Sequence, residues 1–239
     1  MSIISIQNDL KQFLLNLGVT DVGFARIVDG DFGDLQYAVS VVVKLSDAVI
    51  EEIDIAPTHT YFYHYRSVNA FIDRILLDAG IFLEKAGYKY IPVAASQSIN
   101  DRGWNFNARY SHKKVACLAG LGSVGKNSLF LHNTYGARVR MGTLVTDCPF
   151  ETEPTTTTSP CKNCNLCTLA CPAKAITGKE WTLNTPREEL FLPGKCSEYM
   201  KTAFNNIGRG AVCGICISVC PFSNGKKNLS VIYGDRSIK

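Results

Sequence analysis

The side chains with obvious chemical potential are cysteines, and they crowd into one stretch. Cys161-x2-Cys164-x2-Cys167-x3-Cys171-Pro172 matches the bacterial ferredoxin run for a cubane iron–sulfur cluster through all four thiols and the closing proline. A shorter copy, Cys213-x2-Cys216-x3-Cys220-Pro221, follows, with Cys196 detached ahead of it. Eight thiolates satisfy two 4Fe-4S clusters with none left over. Structural zinc also accepts four thiolates, but it usually draws them from two Cys-x2-Cys pairs across a longer loop, and this pattern is different. In two-cluster ferredoxins the cysteine before proline crosses to the neighbouring cube. On that rule cluster one takes Cys161, Cys164, Cys167 and Cys220, and cluster two takes Cys171, Cys196, Cys213 and Cys216. A segment of roughly 65 residues with few large apolar side chains has a thin core, so ligation is expected to supply much of its folding free energy. The two remaining cysteines, Cys117 and Cys148, sit in apolar surroundings and read as small buried hydrophobes.

A second motif is the stretch Gly120-Leu121-Gly122-Ser123-Val124-Gly125-Lys126-Asn127. It satisfies G-x-G-x-x-G and all but the last position of G-x-x-x-x-G-K-[ST]. A nucleotide P-loop needs a hydroxyl where Asn127 stands, and a dinucleotide fingerprint needs a preceding strand, whereas the segment before Gly120 reads as helical. Two readings stay open: a tight turn whose glycines allow close packing, or a backbone that approaches a large cofactor.

The elements that must hold these motifs follow from periodicity. Ile3, Ile6, Leu10, Phe13, Leu14 and Leu17 recur at helical spacing before Gly18. Residues 19–27 and 37–45 are β-branched and read as strands, the second nearly continuous valine and therefore central in a sheet. A long helix is expected over 63–86, ending at Gly87, then a strand over 88–95 and a short helix over 113–119. A hairpin of 128–132 and 137–146 around Asn133-Thr-Tyr-Gly136 closes this half. Residues 149–160 carry three prolines and five threonines and suit an exposed connector. The expected organisation is an α+β domain over 1–148, a linker over 149–160, a two-cluster domain over 161–225 and a tail over 226–239.

Composition narrows the class. The chain has 239 residues, 46% of them hydrophobic, so a packed core is expected. The net charge of +4 is too small to name a nucleic-acid or membrane partner. The amino terminus has no basic region ahead of an apolar one, and nowhere do 18 apolar residues run together, so no export signal or membrane span is expected. Ten cysteines without an export signal point to metal ligation in a reducing, cytoplasmic setting. His59, His64 and His132 are scattered and read as surface or satisfied core residues, and Glu51, Glu52 and Asp54 as a solvated face.

With both motifs in view, the chain resembles the epoxyqueuosine reductase family, cobalamin-dependent iron–sulfur enzymes that share their cofactor-binding and ferredoxin halves with reductive dehalogenases. Ala119-Gly-Leu-Gly122-x-x-Gly125-Lys126 resembles the family's AGLGWIGK, Thr146-Asp147 followed by Pro149 resembles its TDLPL, and the eight cysteines fall in the family's order. The similarity covers about 105–222 well and the first hundred residues loosely. It implies an α+β first domain related to flavin-reductase folds, with a base-off cobalamin between the halves and residues 120–127 beside it. Clusters in line would pass single electrons to an enclosed cobalt.

The chain departs from the family in two places. Counting back thirteen residues from Ala119 to the family's proton-donating aspartate lands on Phe106, so the catalytic acid is unassigned. Asp101, beside Arg102, reads as a solvated ion pair, and Tyr110 and His112 are further titratable groups nearby. The sequence also stops about twenty residues after Cys220, without the helical repeats that family members use against transfer RNA, so tRNA is not expected as a partner, and Lys226, Lys227, Arg236 and Lys239 read as a solvated tail. The leading expectation is an oxidoreductase that reduces a small molecule or a corrinoid, fed by a donor such as ferredoxin or flavodoxin. The rival is an electron-transfer or reductive-activation protein with flavin or no second cofactor. A third reading makes the clusters structural staples only.

Overall fold

The computed structural model describes residues 3–99 and 106–222. Asp101 and the basic tail lie outside them. α1 (Ile3–Asn16) buries Ile6, Leu10 and Leu14, as its spacing predicts. β1 (Asp21–Arg26) and β2 (Tyr37–Lys44) pair antiparallel. α2 (Asp47–Glu51) follows, a single short turn whose period is invisible in sequence. Glu51 is exposed, as a solvated face requires, and also reaches the buried guanidinium of Arg138 at 3.3 Å. α3 (His59–Lys85) begins four residues before the expected start, because Thr58 accepts a hydrogen bond from the Tyr61 amide at 3.0 Å and caps it.

β3 (Tyr90–Val93), α4 (His112–Leu118), β4 (Gly122–Val124), β5 (Phe130–His132) and β6 (Val139–Thr146) complete this half. The main sheet runs β1-β2-β6-β3, antiparallel throughout. β3 carries Pro92 at the edge, where a missing amide does least harm. β2 is interior as predicted: Val39, Val41 and Val43 face the core beneath α1 and α3, while Ala38 and Val42 face a second core beneath α4. Burial on both faces is what the valine run encodes.

The expected hairpin of 128–132 with 137–146 does not form as drawn. β5 pairs instead with β4, inside the glycine-rich stretch, and β6 leaves to join β2 and β3. Gly136, at positive φ, makes only a bridge to His132, after which Ala137 and Arg138 carry the chain across to the main sheet.

The connector runs along the surface but is tied down. Phe150 is buried against Phe24, with ring centroids 4.6 Å apart, and Gln7 exchanges two hydrogen bonds with the Glu151 backbone. Beyond it come four short helices, α5 (Leu166–Ala170), α6 (Arg187–Leu190), α7 (Pro193–Ala203) and α8 (Ile215–Ser218). Phe204, Ile207, Val212, Ile215 and Ile217 pack into the same core as α1 and α3, and Trp181 and Leu190 into the core under α4. The cysteine-bearing half borrows its hydrophobic core from the first half. Among the described residues no helix is long and apolar enough to cross a membrane.

Candidate functional site

The cysteines gather in two groups. Cys161, Cys164, Cys167 and Cys220 line one cavity, rimmed by Asn127, Leu131, Pro221 and Phe222. A turn sets the first pair: the Cys164 amide donates to the Cys161 carbonyl at 2.8 Å, and Lys162 between them takes positive φ. Burial pushes the Cys167 thiol up to about 11, and its neighbours Cys161, Cys220 and Cys164 push the same way. Burial pushes Cys196 up to about 12, with Cys213 and Cys171 adding to the effect. Cys216 is raised by burial first and then by Cys213, Cys196, Cys167 and Cys171.

The thiols of Cys167, Cys196, Cys213 and Cys216 resist ionising where burial raises them, and metal ligation requires them ionised, so loading them with iron would release protons. The Ala175 amide donates to Cys171 Sγ at 3.4 Å, a polarised contact suited to a thiolate. Among the described residues no three His, Cys, Asp or Glu side chains converge on a single ion. Four thiols around one cavity are the soft donor set that an iron–sulfur cluster takes.

The glycine stretch is chiefly a packing device. Gly120 takes φ +71°, and a side chain on Gly122 would meet the Leu131 carbonyl at 2.1 Å. No helix follows it, so the arrangement lacks the helix N-terminus that both nucleotide motifs use. Of the eight residues expected beside a cofactor, Val124 lines the large cleft of this structure. Gly120, Leu121, Gly122, Ser123, Gly125, Lys126 and Asn127 do not, because the β4–β5 pairing turns them towards the core, the connector or the cysteine half. Lys126 Nζ donates to the Lys162 carbonyl at 2.6 Å, and Asn127 Nδ2 donates to the Cys216 carbonyl at 3.3 Å.

The cleft holds about 820 Å³ and lies between the halves, walled by Phe106, Tyr110, Lys113, Trp181, Arg187 and Ile217 among others. That size is at the upper end for bound organic ligands, and the wall is mainly apolar and aromatic with a few polar groups, as ligand sites are. Ile217 directly follows Cys216, so the wall and the second quartet share a turn of chain.

His112 and Tyr110 are both engaged. His112 Nε2 faces the Ala94 carbonyl at 3.0 Å, so it must donate, and Nδ1 then accepts from the Thr143 hydroxyl at 2.9 Å. Burial lowers its pKa and favours this neutral anchor. The Tyr110 hydroxyl donates to Asp29 Oδ1 at 2.5 Å, and burial together with that carboxylate raises its pKa beyond the usual phenol range.

Lys113 is the group that sequence reasoning missed. Its Nζ donates to the Ser128 carbonyl at 2.6 Å and to Ser128 Oγ at 3.0 Å. Burial, with Arg187 adding to it, pushes its pKa down to about 8. A lysine in a cleft with a near-neutral pKa can hold and give up a proton. Nothing local marks it, since its neighbour Lys114 reaches outward to Asp29.

Comparison with known proteins bears on the cysteine half and on the whole fold. Residues 160–223 match the model for a 4Fe-4S double cluster binding domain. Epoxyqueuosine reductase of Listeria monocytogenes is 29% identical over 153 residues, 63% of this chain and 38% of that protein. In sequence the chain is similar to epoxyqueuosine reductases, with the cluster-domain match confined to residues 160–223. It spans less than two fifths of the length of the Listeria relative.

Solved structures share the fold of this chain at lower identity. An epoxyqueuosine reductase bound to a modified tRNA-Tyr stem loop aligns with TM-score 0.62 at 19% identity, over 94% of this chain and 67% of that one. A reductive dehalogenase described as B12-dependent aligns with TM-score 0.71 at 19% identity, over 91% and 31%. The first of these corrects one expectation: a relative acts with tRNA, which does not fit the exclusion of tRNA as a partner.

The remaining expectations concern packing. Cys117 and Cys148 are fully buried, and burial pushes their thiols up to about 12 and 11. His64 Nε2 accepts from the Ser46 amide at 3.1 Å. His132 Nδ1 accepts from the Thr134 amide, which leaves Nε2 to donate to Asp21 at 3.1 Å.

Proposed function

We propose that this protein is an iron–sulfur reductase in which two 4Fe-4S clusters deliver electrons to a cobalamin in the cleft between the halves. Cys161, Cys164, Cys167 and Cys220 would hold one cluster, and Cys171, Cys196, Cys213 and Cys216 the other. The observation that carries this reading is Ile217: the residue after Cys216 is part of the cleft wall, so a cluster held by that thiolate would lie near the cleft. When bound, a corrinoid would supply a cobalt that accepts electrons singly and returns them as a pair. The chain's own residues do the rest. The buried Trp181 and Leu190 make part of the wall apolar and dry. Lys113 Nζ would supply one proton to the two-electron reduction, the second proton of a deoxygenation coming from water, and Ser128 fixes the ammonium's direction.

The substrate class follows from the same chemistry. It is a molecule with an electrophilic carbon that loses oxygen or halide on reduction, and a low-potential ferredoxin or flavodoxin is the donor class. Anaerobic reconstitution with iron and sulfide, followed by titration with hydroxocobalamin, tests the reading. Two clusters per chain and a saturable base-off spectral change are expected. Zinc without acid-labile sulfide would overturn the cluster part. Clusters with no cobalamin uptake, and tight uptake of flavin, would hand the cleft to the electron-transfer alternative. A substrate screen on the loaded protein should include an epoxyqueuosine-bearing stem loop beside chlorinated ethenes.

A further inference from the structure

One buried cation has no countercharge. Lys126 is 5% exposed, and its ammonium rests on two neutral oxygens, the Lys162 carbonyl at 2.6 Å and Asn165 Oδ1 at 3.1 Å. Among the described residues no carboxylate pairs with it. Burying an ammonium among neutral dipoles alone is costly, so a negative group close by is expected. Lys162 and Asn165 lie on the loop that presents Cys161, Cys164 and Cys167 to their shared cavity. Asn127, next in the chain, lines that cavity, accepts from the Leu129 amide through Oδ1 at 3.1 Å and donates through Nδ2 to the Cys216 carbonyl at 3.3 Å. Two adjacent side chains of the glycine stretch therefore grip both cysteine runs. Four thiolates on an oxidised cube carry about −2 in sum with it, and one more electron makes the site more negative still.

We infer that Lys126 is a redox-tuning residue: its fixed charge favours the reduced form of the cluster held by Cys161, Cys164, Cys167 and Cys220, and Asn127 keeps the turn in place. The step is one electron from a low-potential one-electron donor to the cube, with no bond made or broken. This rests on the two-cluster reading above. A unit charge roughly 10 Å away at an effective dielectric of about 20 biases such an equilibrium roughly tenfold, and tenfold is 59 mV for one electron.

The test is an EPR-monitored redox titration of reconstituted holoprotein, comparing the parent with Lys126→Met, Lys126→Gln and Lys126→Arg. In the neutral variants one of the two cluster signals should become about tenfold harder to reduce, with the other moving less, and Lys126→Arg should restore the parent value. Unshifted potentials in iron-replete neutral variants would overturn the inference and leave the two-cluster reading intact. Loss of iron from both neutral variants but not from Lys126→Arg would also overturn it, since the lysine would then be a strut. A parent that binds no clusters would remove both readings together.

Discussion

Lys113 gives the sharpest test of the cleft. Its ordinary pKa is 10.5, and burial brings it to about 8. Each pKa unit is 1.36 kcal/mol, so the cleft disfavours the charged lysine by about 3 kcal/mol relative to water. At pH 7 roughly nine tenths of the chains then carry the proton, and at pH 9 roughly one tenth. Competitive acetic anhydride labelling, read peptide by peptide by mass spectrometry across pH 6 to 11, reports each lysine separately. Lys113 should acylate with a midpoint near 8, whereas Lys114, held outward by Asp29, should follow ordinary surface lysines. The sign carries through to stability. Between about 8 and 10.5 the unfolded chain holds this proton and the folded one does not, so Lys113 makes folding stability rise with pH across that window. In Lys113→Met that slope should vanish, and the alkaline limb of reductase activity should go with it. A labelling midpoint at 10 or above would refute the argument from burial.

Further outcomes are expected elsewhere. Cys171→Ser should lose the same EPR signal as Cys196→Ser, and Cys220→Ser the same signal as Cys161→Ser, each leaving about four iron atoms per chain by iron assay. An uncrossed pairing would exchange the partners. Gly142→Ala should cost about 1–3 kcal/mol in denaturant unfolding, because its new methyl would meet Ile72 Cγ2 at 2.4 Å where α3 lies on β6. Thr58→Ala should cost about 1 kcal/mol and fray the start of α3 through loss of the cap to the Tyr61 amide.

What the sequence discloses depends on range. The double-cluster motif is legible because ligand spacing is local, and the family match falls on that stretch. α1, β2 and α3 are legible because apolar residues recur with the right period. α2 is too short to show a period. The hairpin is misread because Gly122-Ser-Val124 carries no alternation, and the choice of β4 over β6 as partner for β5 is made by contacts outside the strand. Lys113 is illegible for the same reason: Arg187, which helps depress its pKa, and Trp181, which shares its cleft, come from far along the chain. Lys126 and Asn127 show the converse. A phosphate-like motif is visible in the string, and only the fold shows that it grips the cysteine runs.

The borrowed core sets a limit on engineering and on damage alike. Phe204, Ile207, Val212 and Ile215 are at home only against α1 and α3, so a fragment cut at the connector would present them to solvent and could not be grafted elsewhere as a free-standing ferredoxin. By the same coupling, oxygen that strips iron from the second quartet would loosen the floor beneath the long helix as well. Corrosion of an inorganic centre would thereby become a signal for turnover of the entire polypeptide.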